Sequence, residues 1–318
     1  MYHYVRDLKN SRFPHIKGLE LDLFRHQIEY LSLHYKFIRM EELIDAIENK
    51  HELPPKAVLL TFDDPYIDHY VNVFPILRQR NIQGSFFPSM QPIIESKLLD
   101  TNKIHFILAS ESNTDELLRV IFSEIKNLER KYGLKNQEYY EQQLHHSKEN
   151  RYDDKKIVYV KKLLQYELSK ECRQIILDDL FRKYVGIKED VFSKELYMNL
   201  DQIKDMKRHG MFVGNHCYSH NWMNLLTYEE QEREISKTAE LLLAMGCDKN
   251  YTCISYPWGS YNTDTLDIVQ KMQIKAGILS KFGIADIKAH GPYLLPRLDT
   301  NDIPKDKNAP VNHWYESA

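Results

Sequence analysis

Cysteine is scarce in this chain: Cys172, Cys217, Cys247 and Cys253 are the whole complement. No two of them form a Cys-x-x-Cys pair, which argues against a cysteine zinc knuckle. Four cysteines in 318 residues also make a poor disulfide framework. With 11 Gly and 12 Pro the chain is neither collagenous nor low-complexity. Positive charge is not in surplus, since 43 Lys and Arg face 46 Asp and Glu. Nothing therefore points to nucleic acid or an anionic membrane as a partner. No apolar run approaches the roughly 20 residues of a membrane helix, and mean hydropathy is −0.55, so no membrane span is expected. No secretory signal precedes the first apolar segment, and the expectation is a cytoplasmic protein with reduced thiols.

Within these bounds 318 residues are enough for one large domain or two small ones, and 42% of them are hydrophobic, an ordinary balance. Short apolar strands alternate with amphipathic helices, which is the pattern of an α/β fold. Strands are expected at 1–5, 57–62, 84–88, 212–213, 253–256, 276–279 and 294–298. The run Ala57-Val-Leu-Leu-Thr-Phe62 has no alternation, as in a parallel strand buried on both faces. Helices are expected at 22–35, 41–49, 228–245 and 264–273 from apolar residues at helical spacing.

The stretch 93–195 is different: charged, rich in Tyr and helical in period. Leu117, Leu118, Ile121, Ile125 and Leu128 form one stripe, and Ile175, Ile176, Leu180 and Tyr184 another. It reads as a helical insertion, a lid or an interface between copies in a homo-oligomer. It would divide an α/β domain made of 1–92 and 196–318.

Chemistry-bearing residues gather at the ends of the expected strands. Asp63-Asp64 closes the buried run, where parallel-strand folds place their active sites. The pair would let one carboxylate hold a metal while the other faces a substrate, or it is a turn or helix cap. His216 and His220 follow the strand at Phe212-Val213. Two imidazoles at this spacing suit zinc and its neighbours, or they are two surface histidines. Tyr256-Pro257-Trp258-Gly259, with Tyr261, follows the next strand. This turn offers an aromatic face and backbone donors for an oxyanion, or it simply buries its Trp. Arg297 sits inside the apolar Leu295–Leu298 strand and needs a carboxylate, either Asp299 or Asp63. His3 in the first strand, taken alone, is an ordinary core histidine.

Taken in order, Thr61-Phe62-Asp63-Asp64, His216-x-x-Ser219-His220 and Tyr256-Pro257-Trp258-Gly259 resemble the polysaccharide deacetylases, the NodB-homology carbohydrate esterases of family four. Met1-Tyr2-His3-Tyr4-Val5 and Leu295-Pro296-Arg297 are similar to segments of the poly-N-acetylglucosamine deacetylase-like branch, which uses an N-terminal catalytic histidine. The resemblance implies a distorted (β/α) barrel, often seven-stranded. It implies one divalent metal on Asp64, His216 and His220, zinc first, with cobalt, nickel or iron as alternatives. It further implies Asp63 as general base, His3 as general acid with His290 as runner-up, and Arg297 orienting Asp63. Tyr256, Pro257, Trp258 and Tyr261 are then the substrate side. The implied reaction is hydrolysis of the N-acetyl group of an amino sugar. The alternatives are an amidohydrolase for a non-sugar amide and a non-catalytic carbohydrate-binding relative. Two departures stand out: the family's Asp-Asp-Gly is Asp-Asp-Pro65, and the hydroxyl residue usual after the first histidine is Cys217.

Overall fold

The computed structural model describes residues 1–49 and 51–311; the end of the expected 196–318 segment, from 312, lies outside the described residues. The chain divides into two compact units. One contains Met1–Asp7, Gly18–Lys97 and the chain from Ser193 onward; the other contains Leu8–Lys17 and Leu98–Phe192.

The first unit is α/β, and its strands pair in parallel. They are β1 (Val5–Arg6), β2 (Leu19–Glu20), β3 (Lys36–Phe37), β4 (Ala57–Val58), β5 (Leu60–Asp63), β6 (Gly84–Phe87), β7 (Phe212–Val213), β8 (Cys253–Ser255), β9 (Ala276–Phe282) and β10 (Leu295–Arg297). They form the small sheets β1-β2, β3-β4, β5-β6-β7 and β10-β9-β8. Single backbone contacts join the sheets further. Tyr2 N–H donates to the Thr61 carbonyl (2.9 Å) and Asp63 N–H to the Tyr2 carbonyl (3.0 Å), on β5. Beyond β7, Asn215 N–H donates to Cys253 O (2.9 Å) and Ser255 N–H to Asn215 O (2.8 Å), reaching β8. Beyond β10, Thr300 N–H donates to the Met1 carbonyl (3.1 Å).

The apolar run expected as one strand at 57–62 is divided. Ala57–Val58 pairs with β3, and Leu60–Asp63 pairs with β6. The backbone changes partner at Leu59, and only the second part is buried at every residue. The expected first strand is also shorter in ladder terms: Tyr2 makes one bridge to Phe62, and β1 proper is Val5–Arg6. Side chains still alternate there, with Tyr2 and Tyr4 buried and His3 half-buried between them.

Helices flank the strands close to where periodicity places them. Leu21–His34 buries Phe24, Ile28 and Leu31. Tyr228–Ala244 begins with a reciprocal capping box between Thr227 and Glu230, which satisfies two otherwise unpaired helix-end N–H groups. Thr263–Lys271 is capped by Asn262 in the same way.

The second unit is helical. Its helices include Asp100–Ser110, Thr114–Tyr132, Gln137–His146, Lys155–Lys162 and Lys170–Tyr184. The two apolar stripes form its core, with Leu117, Ile121, Ile125 and Ile176 fully buried. Lys103, also buried, is compensated by Asp178 at 2.6 Å and Glu189 at 3.0 Å. None of the described helices is long and apolar enough to cross a membrane.

Gly214 governs how closely the central strands approach. A Cβ there would lie 2.4 Å from the Phe87 ring and 2.8 Å from the Cys253 carbonyl oxygen. The ring can shift, but the carbonyl is backbone. Gly214→Ala is therefore expected to lose about 1–3 kcal/mol of stability by overpacking, read from the urea midpoint at unchanged slope. A midpoint equal to wild type would mean the strands separate freely at this point.

Candidate active site

Because the strands are parallel, their C-terminal ends share one side, and the chemistry-bearing residues lie there. β5 ends in Asp63, followed by Asp64; β7 leads to His216 and His220; β8 ends in Ser255 before the Pro257–Gly259 turn; Arg297 ends β10.

Asp63 is 2% exposed and Arg297 8%. The guanidinium grips the carboxylate at both oxygens, Nη1 to Oδ1 at 2.9 Å and Nη2 to Oδ2 at 2.6 Å. Ser255 Oγ donates to Oδ2 at 3.1 Å. Arg297 is itself aimed by the Leu279 carbonyl (2.7 Å) and by Thr61 Oγ1 (3.1 Å). Burial alone would raise the Asp63 pKa, but the Arg297 charge and its two hydrogen bonds outweigh that and hold it well below the usual carboxylate range. The pairing of Arg297 is thus with Asp63; Asp299 instead caps the turn at Thr300–Asp302.

Asp64 faces the histidines. Its Oδ1 lies 3.5 Å from His220 Nε2 and 3.9 Å from His216 Nε2. One ligand atom from each of the three residues lies within 4.8 Å of the others. Tyr66 donates its hydroxyl to the other oxygen, Oδ2, at 2.9 Å. Oδ1 is buried and has no hydrogen-bond partner, which leaves it as an acceptor aimed at the space between the imidazoles. His216 Nδ1 donates to the Ser255 carbonyl at 2.6 Å, which fixes the tautomer that presents an Nε2 lone pair. Burial lowers the His220 pKa to about 4, against the opposing pull of Asp64, so its ring is neutral near pH 7, as a ligand must be. A buried carboxylate oxygen without a donor, facing two imidazole rings, suits a divalent ion of the zinc type.

The remaining residues fall around this pair of centres. His3 is half-buried, and its charge bears on Asp63, Asp64 and His220 alike. Its carbonyl accepts from His69 Nε2 at 2.9 Å, which fixes the backbone there. His290 is exposed on the short Ile287–His290 helix and bonds locally to Asp286. Trp258 lies edge-on to His220, with ring centroids 5.3 Å apart, and stacks on Trp222 at 5.1 Å and 7°. Trp222 thereby forms one aromatic wall with Trp258. Tyr261 is half-buried and packs at an angle to Tyr256, centroids 5.8 Å apart.

Tyr256 and Pro257 are placed differently from the expectation. Tyr256 is 1% exposed and belongs to an apolar cluster with Cys217, Ile254, Ile268 and Leu279; Pro257 is buried too. Their side chains support the turn from beneath, and the partly exposed surface of the turn belongs to Trp258 and Gly259.

Sequence reasoning missed Tyr66, the hydrogen bonds of Ser255 and the carboxylate of Glu234. Tyr66 was within sight, two residues after Asp64. Ser255 stands immediately before the Tyr256–Gly259 motif. Glu234 had no signal, because it sits in an acidic helix that reads as a solvated face.

Residues 184–277 match the family model described as polysaccharide deacetylase. Over that stretch the chain is similar to the polysaccharide deacetylases. The match contains His216, His220 and the Pro257–Gly259 turn; Asp63 and Asp64 lie outside it and are joined to it by the fold. YxkH of Bacillus subtilis (strain 168), whose name places it among polysaccharide deacetylases, is 29% identical over 147 residues, 41% of this chain and 52% of its own. The poly-beta-1,6-N-acetyl-D-glucosamine N-deacetylase of Staphylococcus epidermidis is 32% identical over 95 residues, 30% of this chain and 31% of its own. The chain therefore aligns with about half of the first relative and a third of the second. In fold it is similar to the Streptococcus pyogenes deacetylase PplD, solved in complex with acetate, at TM-score 0.56 and 19% identity over 94% of this chain and 89% of that one. It is also similar to IcaB from Ammonifex degensii, at TM-score 0.53 and 18% identity over 95% and 91%.

Removing the Arg297 side chain would leave Asp63 buried and unpaired. Arg297→Ala is expected to cost about 3–5 kcal/mol at pH 7. Asp63 is depressed in the folded state, so its contribution is complete above the unfolded carboxyl pKa of ~3.9 and is lost as pH falls below it. The stability gap between wild type and Arg297→Ala should narrow from pH 5 to pH 3 in urea titrations. A gap constant over that window would show that another group carries the dependence.

Proposed function

We propose that this chain is a metal-dependent hydrolase of carbon–nitrogen bonds that removes the N-acetyl group from an amino sugar, in an oligosaccharide, a polysaccharide or a sugar-conjugate precursor. The observation that carries the proposal is the buried meeting of Asp64, His216 and His220 beside an Asp63 held ionised by Arg297. The family match and the relative named for N-deacetylation of poly-N-acetylglucosamine support the choice of an acetamido sugar. The same reading takes the linked parallel strands as a distorted (β/α) barrel of about seven strands.

Asp64, His216 and His220 would hold one divalent ion, zinc first, which when bound polarises the acyl carbonyl and makes water acidic enough to attack near neutral pH. Asp63 accepts the proton of the attacking water. A carboxylate offers about four lone-pair directions; Arg297 and Ser255 occupy three of them, and one remains for the water. A carboxylate held so acidic is a weak base, and the reading requires a water that is acidified to match. The Trp258 backbone N–H steadies the oxyanion as the carbonyl carbon becomes tetrahedral. Protonated His3 donates to the departing amine as the C–N bond breaks, leaving acetate and a free amino sugar. Trp258 and Tyr261 face the sugar, the first as a stacking surface extended by Trp222.

The test pairs metal content with acetate release from N-acetylglucosamine oligomers. Wild type should carry one equivalent of metal and release acetate. His216→Ala should lose the metal. Asp63→Asn should keep it while kcat falls about 10²–10⁴-fold. Full activity in Asp63→Asn would remove the base assignment; metal bound without acetate release would redirect the search to other N-acyl compounds.

A further inference from the structure

Resting on the metal-site reading above, we infer that Glu234 is a positioning residue for the His216–His220 loop, and that it sets metal affinity without touching the metal. Glu234 lies on the Tyr228–Ala244 helix, outside every motif of the sequence. Its Oε2 accepts the backbone N–H of Tyr218 at 3.0 Å and that of Ser219 at 2.7 Å, and its Oε1 accepts the Ser219 hydroxyl. One half-buried carboxylate thus takes three donors from the two residues that immediately precede His220.

The next residue of the same helix holds the other end of the loop. Asn215 donates from Nδ2 to the Ile235 carbonyl at 2.9 Å, and its Oδ1 accepts Cys217 N–H at 2.8 Å. Ile235 itself is fully buried. Neighbouring positions 234 and 235 therefore hold the segments before and after His216 against one rigid element. Such holding is required, because Cys217 (φ 55°) and His220 (φ 57°) are both left-handed, a conformation that side-chain-bearing residues adopt only when their surroundings impose it.

Cys217 cannot supply this anchor. Its thiol is buried against Met223 Sδ at 3.5 Å, and a thiol is a weak donor in any case. The hydroxyl two residues on, Ser219, makes the bond to Glu234 instead. An Asp at 234 would be a methylene short. A Gln could still accept both N–H groups at its carbonyl oxygen and donate its amide to Ser219 Oγ.

The experiment measures Co(II) affinity by chelator competition on the apo chain, residues 1–318, together with the visible absorption of the Co(II) form. It compares wild type, Glu234→Ala, Glu234→Gln, Ser219→Ala and the exposed same-helix control Glu240→Ala. Loss of outer hydrogen bonds to ligand-bearing segments typically weakens metal binding 10–100-fold. Glu234→Ala is expected in that range with an altered Co(II) spectrum, Ser219→Ala to fall part of the way, and Glu234→Gln and Glu240→Ala to stay within about threefold of wild type. Rescue by Gln separates positioning from a general loss of folding, and Ser219→Ala tests the same contact if Glu234→Ala does not fold. Wild-type affinity and spectrum in both Glu234→Ala and Ser219→Ala would overturn the inference while leaving the metal reading intact. A wild type that takes up no Co(II) or Zn(II) would overturn the metal reading itself, and this inference with it.

Discussion

Two adjacent carboxylates end a buried strand, and neither can remain charged there without its own partners. A buried unpaired carboxylate costs several kcal/mol, and two side by side would repel each other as well. The fold divides the problem. Asp63 is given Arg297, which arrives 234 residues later in the chain on β10. Asp64 is given the Tyr66 hydroxyl at Oδ2, and its unpartnered Oδ1 is turned toward the space between His216 and His220, where a cation would compensate it. β5 must therefore sit where the extensions of β7 and β10 both reach its C-terminal end. The succession of parallel strands satisfies that demand, and Ser255 ties the two halves together. Its hydroxyl bonds Asp63 while its carbonyl orients His216.

Backbone strain is concentrated in the same place. Among the described residues, eight non-glycine positions have positive φ, and four of them are Asp64, Cys217, His220 and Trp258. Each costs on the order of 1–3 kcal/mol and persists only where neighbouring contacts over-determine it. At Asp64 the backbone N–H bonds the Phe87 carbonyl. At the histidine loop, the Tyr218 carbonyl accepts Gln91 N–H and Ser89 bonds the His216 carbonyl. The strain buys direction: each left-handed residue turns the chain so that a side chain or turn meets the others over a short span.

Much of this was legible in the sequence because it is local. The Asp63-Asp64 pair, the spaced histidines and the charged residue within an apolar strand are patterns of neighbours along the chain, and the structure brings all five residues together. What was not legible depends on contacts across the fold. Whether Arg297 chose Asp63 or Asp299 could not be decided from spacing, since one lies two residues away and the other more than two hundred. Tyr256 and Trp258 look equally exposed in a Pro-Trp-Gly turn; the left-handed φ of Trp258 separates a ring in the core from a ring on the surface. The division of the 57–63 run reflects a change of strand partner, which apolar composition cannot encode. Glu234 is invisible for the same reason, because its partners are fifteen and sixteen residues away on a loop.

The loops that carry Pro65 and Cys217 are held by groups other than those two side chains. Pro65 has no N–H to donate, and it restricts the residue before it; Asp64 nevertheless holds φ 69°. The loop is held from beyond instead: Met198 N–H bonds the Pro65 carbonyl at 2.8 Å, Tyr66 bridges Tyr197, and the Tyr66 hydroxyl returns to Asp64. At Cys217 burial pushes the thiol well above its ordinary pKa and leaves it inert, and the hydroxyl that bonds Glu234 is that of Ser219. Neither residue displaces the ligand-bearing side chains: the Tyr66 hydroxyl holds Asp64, the Ser255 carbonyl orients His216, and Glu234 holds the two residues before His220.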